Sequence, residues 1–230
     1  MPAQDDVRER HMAALFNLTV LPDRKRGDVD AHLHLPDGSV LDFELKSTTT
    51  GKSISTVRDF GPRHVEKWRN MHWLFGIFDD HSVNMIRCHY ASPAHMQQWV
   101  DAQVDYAQPD IILGKYAPLG VTMESVHELF GDREFYTRKE AESVMKRNWS
   151  VSQYAAASDH PDGYSGTAML EIMRARCEYV MSRGATRNNP HIEAWRIRQF
   201  PEISAEHAQT LRSLTRQFLQ TAADTEQATA

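Results

Sequence analysis

Cysteine is nearly absent from this sequence. Cys88 and Cys177 are the only two in 230 residues, far apart and set among apolar neighbours. Two thiols make neither a disulfide framework nor, by themselves, a zinc site, so both are expected as reduced core thiols. Long apolar runs are also missing. None reaches the roughly 18 residues that a membrane-spanning helix needs. The opening segment Asp5-Asp6-Val7-Arg8-Glu9-Arg10 lacks the apolar stretch of a signal peptide. A cytoplasmic chain with no membrane partner is the expectation. An excess of basic charge is lacking too. Lys and Arg number 26 against 31 Asp and Glu, a formal net charge of −5. That excludes a polycation that coats nucleic acid without specificity. It leaves room for local basic clusters, or for a bound metal that brings its own positive charge.

What remains is the composition of an ordinary folded domain. Hydrophobic residues make up 41% of the chain, enough for one domain of generous size or a core with a smaller addition. Hydrophobic spacing predicts an amphipathic helix over 5–17, with Asp5 or Asp6 as cap and Val7, Met12, Leu15 and Phe16 on its apolar stripe. Two strands follow at 29–35 and 40–46, around the turn Pro36-Asp37-Gly38-Ser39. A helix over 62–71 opens on Pro62, and further strands are expected at 72–78 and 82–90. A helix from Pro93 to about 107 leads to an extended segment at 111–113. Beyond about residue 120 the pattern is helical. Thr122 caps a helix that stops at Gly131, and Thr137 with Glu140 forms a capping box. The 165–183 helix carries Met169, Leu170, Met173, Cys177, Val180 and Met181 at helical spacing. A last helix covers 204–220. The order points to an α/β (α+β) fold, a mixed sheet of four to five strands flanked by helices, with a helical C-terminal half. The expected organisation is a core over 1–120, a helical elaboration over 121–221 in the same compact domain, and a flexible tail over 222–230.

The strongest chemical signal is the alternation of the two hairpin strands. Leu41, Phe43 and Leu45 share one face, and Asp42, Glu44 and Lys46 the other. Ala31, Leu33 and Leu35 likewise oppose Asp30, His32 and His34. Matching the apolar faces puts Leu35 opposite Leu41, Leu33 opposite Phe43 and Ala31 opposite Leu45, around a three-residue loop Asp37-Gly38-Ser39. In that register Asp30 stands opposite Lys46 and diagonal to Glu44, within side-chain reach of both. Asp28 lies on the same face but further out, so Asp30 is preferred. Two carboxylates and an amine on one face suit phosphodiester hydrolysis. Asp30 and Glu44, with the backbone carbonyl of Leu45, offer hard oxygen ligands for Mg²⁺, for which Mn²⁺ can substitute. Lys46 can hold the attacking water and balance charge at phosphorus. Without metal the carboxylates repel each other, so loss of one is expected to leave stability intact.

Asp30, thirteen intervening residues, and then Glu44-Leu45-Lys46 resemble the motif of the PD-(D/E)xK nuclease superfamily. The resemblance covers roughly residues 5–90, and Val29 stands where the motif often has proline. It implies a restriction-endonuclease-like core, Mg²⁺ as cofactor, Asp30 and Glu44 as ligands, and Lys46 as the catalytic lysine. Glu9, on the leading helix, occupies the place of a further acidic ligand found in many members.

The same residues admit other readings. His32 and His34, with Asp42, offer zinc ligands but lack a second pair at ligand spacing. Thr48 to Ser53 is like a phosphate-binding loop, but the required first glycine falls on Lys46, which excludes nucleotide binding. That loop instead offers Thr48, Thr49 and Lys52 as contacts to a DNA backbone. Trp68, Trp73 and Trp99 belong to apolar periodic segments and are expected in the core. The second half is rich in arginine, and its segment Arg187-Asn188-Asn189 has side chains suited to guanine and adenine edges. Together these readings point to a type II restriction endonuclease. It would cut double-stranded DNA to 5′-phosphate and 3′-hydroxyl ends, as a homodimer joined through the 165–183 helix unless that helix is simply core. The alternatives are a structure-specific or repair nuclease of the same superfamily, and a non-catalytic DNA-binding module with a degenerate nuclease fold.

Overall fold

A computed structural model describes residues 4–22, 28–49, 53–56, 62–79, 84–146, 148–182 and 190–229. The chain divides into two compact units, one of 1–58, 62–104 and 189–230, the other chiefly 105–188. In chain order the elements are α1 (Gln4–Phe16), β1 (Ala31–His34), β2 (Val40–Thr48), β3 (Ile54–Ser55), α2 (Pro62–Arg69), β4 (His72–Phe78), β5 (Met85–Ala91) and α3 (Pro93–Tyr116). Then come α4 (Met123–Phe130), α5 (Arg138–Met145), α6 (Val151–Ala157) and α7 (Gly166–Ser182). The chain continues through β6 (His191–Ile192), α8 (Ala194–Ile197), β7 (Glu202–Ile203) and α9 (His207–Thr229). No helix among the described residues is long and apolar enough to cross a membrane.

The first unit is built on a five-stranded mixed sheet in the order β1-β2-β4-β5-β7. β2 and β4 run parallel, and the other neighbours are antiparallel. A parallel pair cannot be joined by a tight turn, so the chain crosses between them through β3 and α2. The class expected from the sequence, a mixed sheet with helices, is the one observed. One face of the sheet closes on α1 and α9, where Phe43 and Leu45 meet Met12, Phe16 and Leu211. Gly76 permits that closure, because a Cβ there would stand 2.8 Å from the Met12 sulfur.

The hairpin register differs from the expected one by two residues. Ala31 pairs with Phe43, and Leu33 with Leu41. The cause is the turn. Leu35 N–H donates to the Ser39 carbonyl at 2.9 Å, so the loop is Pro36-Asp37-Gly38 rather than Asp37-Gly38-Ser39. Gly38 supplies the positive φ of 86° that this turn requires. An even shift leaves every side chain on its expected face.

Other expectations change at particular residues. α1 begins at Gln4, so Asp5 and Asp6 lie in its first turn instead of capping it. Val7 is exposed, while Arg8 is buried with its guanidinium 5.2 Å over the Phe78 ring. Ile111 to Leu113 are helical, because α3 continues through Pro109. Ala107 and Gly114, seven residues apart, turn inward on that helix while Ile112 and Leu113 are exposed. Residues 222–229, expected as a tail, extend α9; Ala, Glu and Gln there favour helix. The sequence reading groups 189–221 with the helical elaboration, whereas β7 pairs with β5 and α9 packs on α1.

The second unit is helical. Thr137 and Glu140 form the expected capping box, and Thr122 precedes α4, which ends at Gly131. Met169 and Ile172 of α7 are fully buried against Tyr136, Tyr154 and Tyr164 of the same unit. Of the apolar stripe on α7, Met169 is core and Leu170 and Met173 pack half-buried against it, whereas Cys177 and Met181 are half-buried and Val180 is exposed. Cys88 is buried and Cys177 half-buried, both free thiols, and burial pushes the Cys88 thiol up.

One buried group makes the sheet sensitive to acid. His72 opens β4, its Nδ1 lies 2.8 Å from the Tyr90 hydroxyl, and its ring stacks on Phe43. Burial pushes its pKa down to about 4. The folded protein holds His72 neutral, while the unfolded chain takes up a proton near pH ~6.5. Stability from this group is complete above that value and is lost as pH falls towards 4. The full shift corresponds to about 3 kcal/mol. Urea unfolding across this interval is expected to show a steeper pH dependence in the native sequence than in His72→Phe. Equal slopes would rule out His72 as the cause.

Candidate active and metal site

The site forms where the hairpin meets the parallel strand pair. Phe43 and Leu45 point into the core on the α1 side, so Glu44 and Lys46 must point to the other face. There they lie beside Trp73 and Phe75, their neighbours on β4. Trp68 of α2 and Trp99 of α3 pack edge-on or tilted against Trp73 and each other, with ring centroids 5.4–6.1 Å apart. The three tryptophans are core, as expected, and form an indole wall that keeps water from this face. Asp30 sits one residue before β1, and its N–H donates to the Phe43 carbonyl at 3.1 Å. That bond carries the register one step further and puts Asp30 beside Glu44. Asp30 is 7% exposed and Glu44 6%.

Two buried carboxylates need compensation, and two lysines supply it. Lys46 Nζ is 2.7 Å from Glu44 Oε1 and 3.5 Å from Asp30 Oδ2. The same ammonium donates to the Leu45 carbonyl at 3.3 Å. Leu45 N–H donates to Asp30 Oδ2 at 2.9 Å, which fixes that carboxylate against the backbone. Lys67 of α2 reaches the other side, 2.9 Å from Glu44 Oε2, and donates to the Asp28 carbonyl at 2.9 Å. Burial pushes the Glu44 pKa up, but the Lys46 and Lys67 ammoniums outweigh it and hold the carboxyl below its usual range. Burial likewise opposes the charge on Lys46, and the Glu44 and Asp30 carboxylates outweigh it and hold the ammonium above its usual range.

The structure therefore brings Asp30, Glu44 and Lys46 together, with the Leu45 carbonyl beside them. Asp30 neighbours Glu44 instead of facing Lys46, which follows from the shifted register. Asp28 is exposed, and its carbonyl touches the network by accepting from Lys67. Glu9 contributes to the field on Lys46. Among the described residues, no three acidic, imidazole or thiol side chains are close enough to hold one metal ion, so Glu9 does not join Asp30 and Glu44 in a cluster. His32 Nδ1 pairs across the hairpin with Asp42 at 2.8 Å, and His34 is exposed. Thr48 ends β2 and Thr49 follows it, both half-buried. Lys52, Arg187, Asn188 and Asn189 lie outside the described residues. Several other arginines of the second half are engaged locally. Arg174 donates to the Val121 carbonyl and pairs with Glu171, and Arg196 pairs with Glu193 over the Trp195 ring.

Lys67 is the site residue that sequence reasoning missed. Its one signal was helical spacing, which sets it next to the inward-facing Trp68. The pairing also corrects the expectation that the acidic residues are dispensable for stability. Each carboxylate is matched by an ammonium, so removing one partner strands a buried charge. Lys46→Met is expected to lower stability at neutral pH by about 3 kcal/mol. The deficit should shrink in acid, where the stranded carboxylates can protonate. Chemical denaturation at the two pH values tests this, and a pH-independent deficit would mean lost packing instead.

The chain matches no known protein family model and no curated protein, so the reading of the site rests on its geometry and chemistry.

Proposed function

We propose that this protein is a Mg²⁺-dependent, site-specific double-stranded DNA endonuclease of the PD-(D/E)xK type, acting as a type II restriction enzyme. The observation that carries the reading is the point where Asp30 Oδ2, Glu44 Oε1 and the Leu45 carbonyl surround one cation, the Lys46 ammonium. Three hard oxygens around one positive charge match the donor set that Mg²⁺ prefers. The order of helix, hairpin, crossover helix and parallel strand supports the same family core.

In this reading Asp30 and Glu44, with the Leu45 carbonyl, hold the ion. Mg²⁺, when bound, lowers the pKa of a water and screens the phosphate. The Leu45 N–H fixes Asp30, so the strand backbone itself sets the ligand geometry. Lys46, one residue from the carbonyl ligand, moves its ammonium from Glu44 to a phosphate oxygen and stabilises the charge that develops there. The indole wall limits water on the buried side.

Incubation of plasmid DNA with Mg²⁺ is expected to give discrete fragments, and Mn²⁺ should replace Mg²⁺. Asp30→Ala should abolish cutting while the protein still folds by circular dichroism. Near-normal cutting by that variant would sink the assignment. A smear would indicate a general or repair nuclease, and a gel shift without cutting a binding module. A double-strand break needs two such sites, and a two-fold homodimer matches a palindromic duplex. Light scattering on the DNA complex is expected to give the mass of two chains, and one chain at a palindromic site would overturn the dimer.

A further inference from the structure

Glu44 presents its two oxygens to two different cations. Oε1 faces Lys46, on the side of the Asp30 carboxylate and the Leu45 carbonyl. Oε2 faces Lys67, which comes from another element and is anchored separately on the Asp28 carbonyl. The two lysines are therefore not equivalent. Lys46 stands among the oxygens that an ion would take and must give way to it. Lys67 stands outside that group and can stay.

Resting on the proposed metal site, we infer that Lys67 is a positioning residue that keeps Glu44 a one-oxygen ligand and so selects Mg²⁺ and Mn²⁺ over Ca²⁺. With Oε2 held by an ammonium at 2.9 Å, only Oε1 is presented to the ion. Mg²⁺ wants six ligands in tight octahedral geometry, at about 2.1 Å, and takes one oxygen from each carboxylate. Ca²⁺ takes about 6–8 oxygens at longer range, and commonly both from a single carboxylate. Lys67 withholds that second oxygen. Its charge also weakens every divalent cation, but that effect is common to both ions and leaves their ratio unchanged. Selectivity, not affinity, is the signature.

The test is calorimetric titration of the full chain with Mn²⁺ and with Ca²⁺, with no DNA and no turnover. The native sequence should bind Mn²⁺ through an Asp30-dependent site, lost in Asp30→Asn, and prefer it to Ca²⁺. In Lys67→Met, Ca²⁺ affinity should rise about tenfold more than Mn²⁺ affinity, the scale on which partners of metal ligands act. Lys67→Arg, which still covers Oε2, should keep the native ratio. Equal gains for both ions in Lys67→Met would overturn the role of Lys67 and leave the metal site standing. Should Lys67→Met fail to fold, equal affinity of the native protein for Mn²⁺ and Ca²⁺ would overturn it as well. Absence of any Asp30-dependent ion binding would remove the metal site itself, and this inference with it.

Discussion

Glu44 is a carboxylate buried in the middle of a sheet, and it is tolerated there because Lys46 and Lys67 bracket it. Uncompensated, such a charge costs several kcal/mol. Satisfying it draws groups from three places in the chain. Lys46 comes from the same strand, Lys67 from the crossover helix α2, and Asp30 from the approach to β1. Asp30 is itself held by the Leu45 N–H. The arrangement holds two buried carboxylates in a neutralised form. Opposite charges are matched within the network, so the fold does not depend on an ion to hold its acidic residues in place.

The parallel pairing of β2 and β4 is the topological condition for this arrangement. Parallel neighbours demand a crossover, and here the crossover is α2, which carries Lys67 and Trp68 to the same face. The strand after it brings Trp73 and Phe75 alongside Glu44 and Lys46. One connection thus supplies both the second ammonium and Trp68, the part of the apolar wall that stands beside it. On the opposite face, Gly76 lets α1 approach closely enough to bury Phe43 and Leu45. With both faces covered, β2 is buried along Phe43, Glu44 and Leu45, as expected of a strand with a parallel partner.

Much of this was legible because strand periodicity is two and side chains cannot change face without an odd slip. The alternation in 40–46 put Glu44 and Lys46 on one side whatever the turn chose, and moving the loop from Asp37-Gly38-Ser39 to Pro36-Asp37-Gly38 altered partners but not faces. Local signals were equally readable where one residue does the work, as with Thr137 and Glu140 capping α5. What escaped were contacts between elements distant in sequence. Nothing in the pattern around Lys67 points to Glu44, because helix spacing states which side faces in and not what waits there. The exchange of Val7 for Arg8 on α1 has the same origin, since Arg8 is buried with the Phe78 ring beneath its guanidinium, a contact between elements far apart in sequence. Ile111 to Leu113 misled for another reason. Ile111 and Ile112 are β-branched and follow a proline, which favours an extended reading, yet α3 runs on through them with Ala107 and Gly114 buried on its inner side.

β7 is only two residues long, yet it pairs with β5 along Cys88 and His89, and the Pro201 carbonyl accepts from the Tyr90 N–H. It belongs to a part of the chain made long after the other four strands. On the ribosome, the hairpin, β4 and β5 emerge first, and the outer side of β5 then has no mate while the whole helical unit is synthesised. A strand edge left open in this way is a template for pairing with other nascent chains. β7, with α9 packed against it, covers this edge at Cys88 and His89 once the end of the chain has been made. The vulnerable interval in the life of this protein falls before its last helix has formed, and a ribosome stalled inside the helical unit would prolong it.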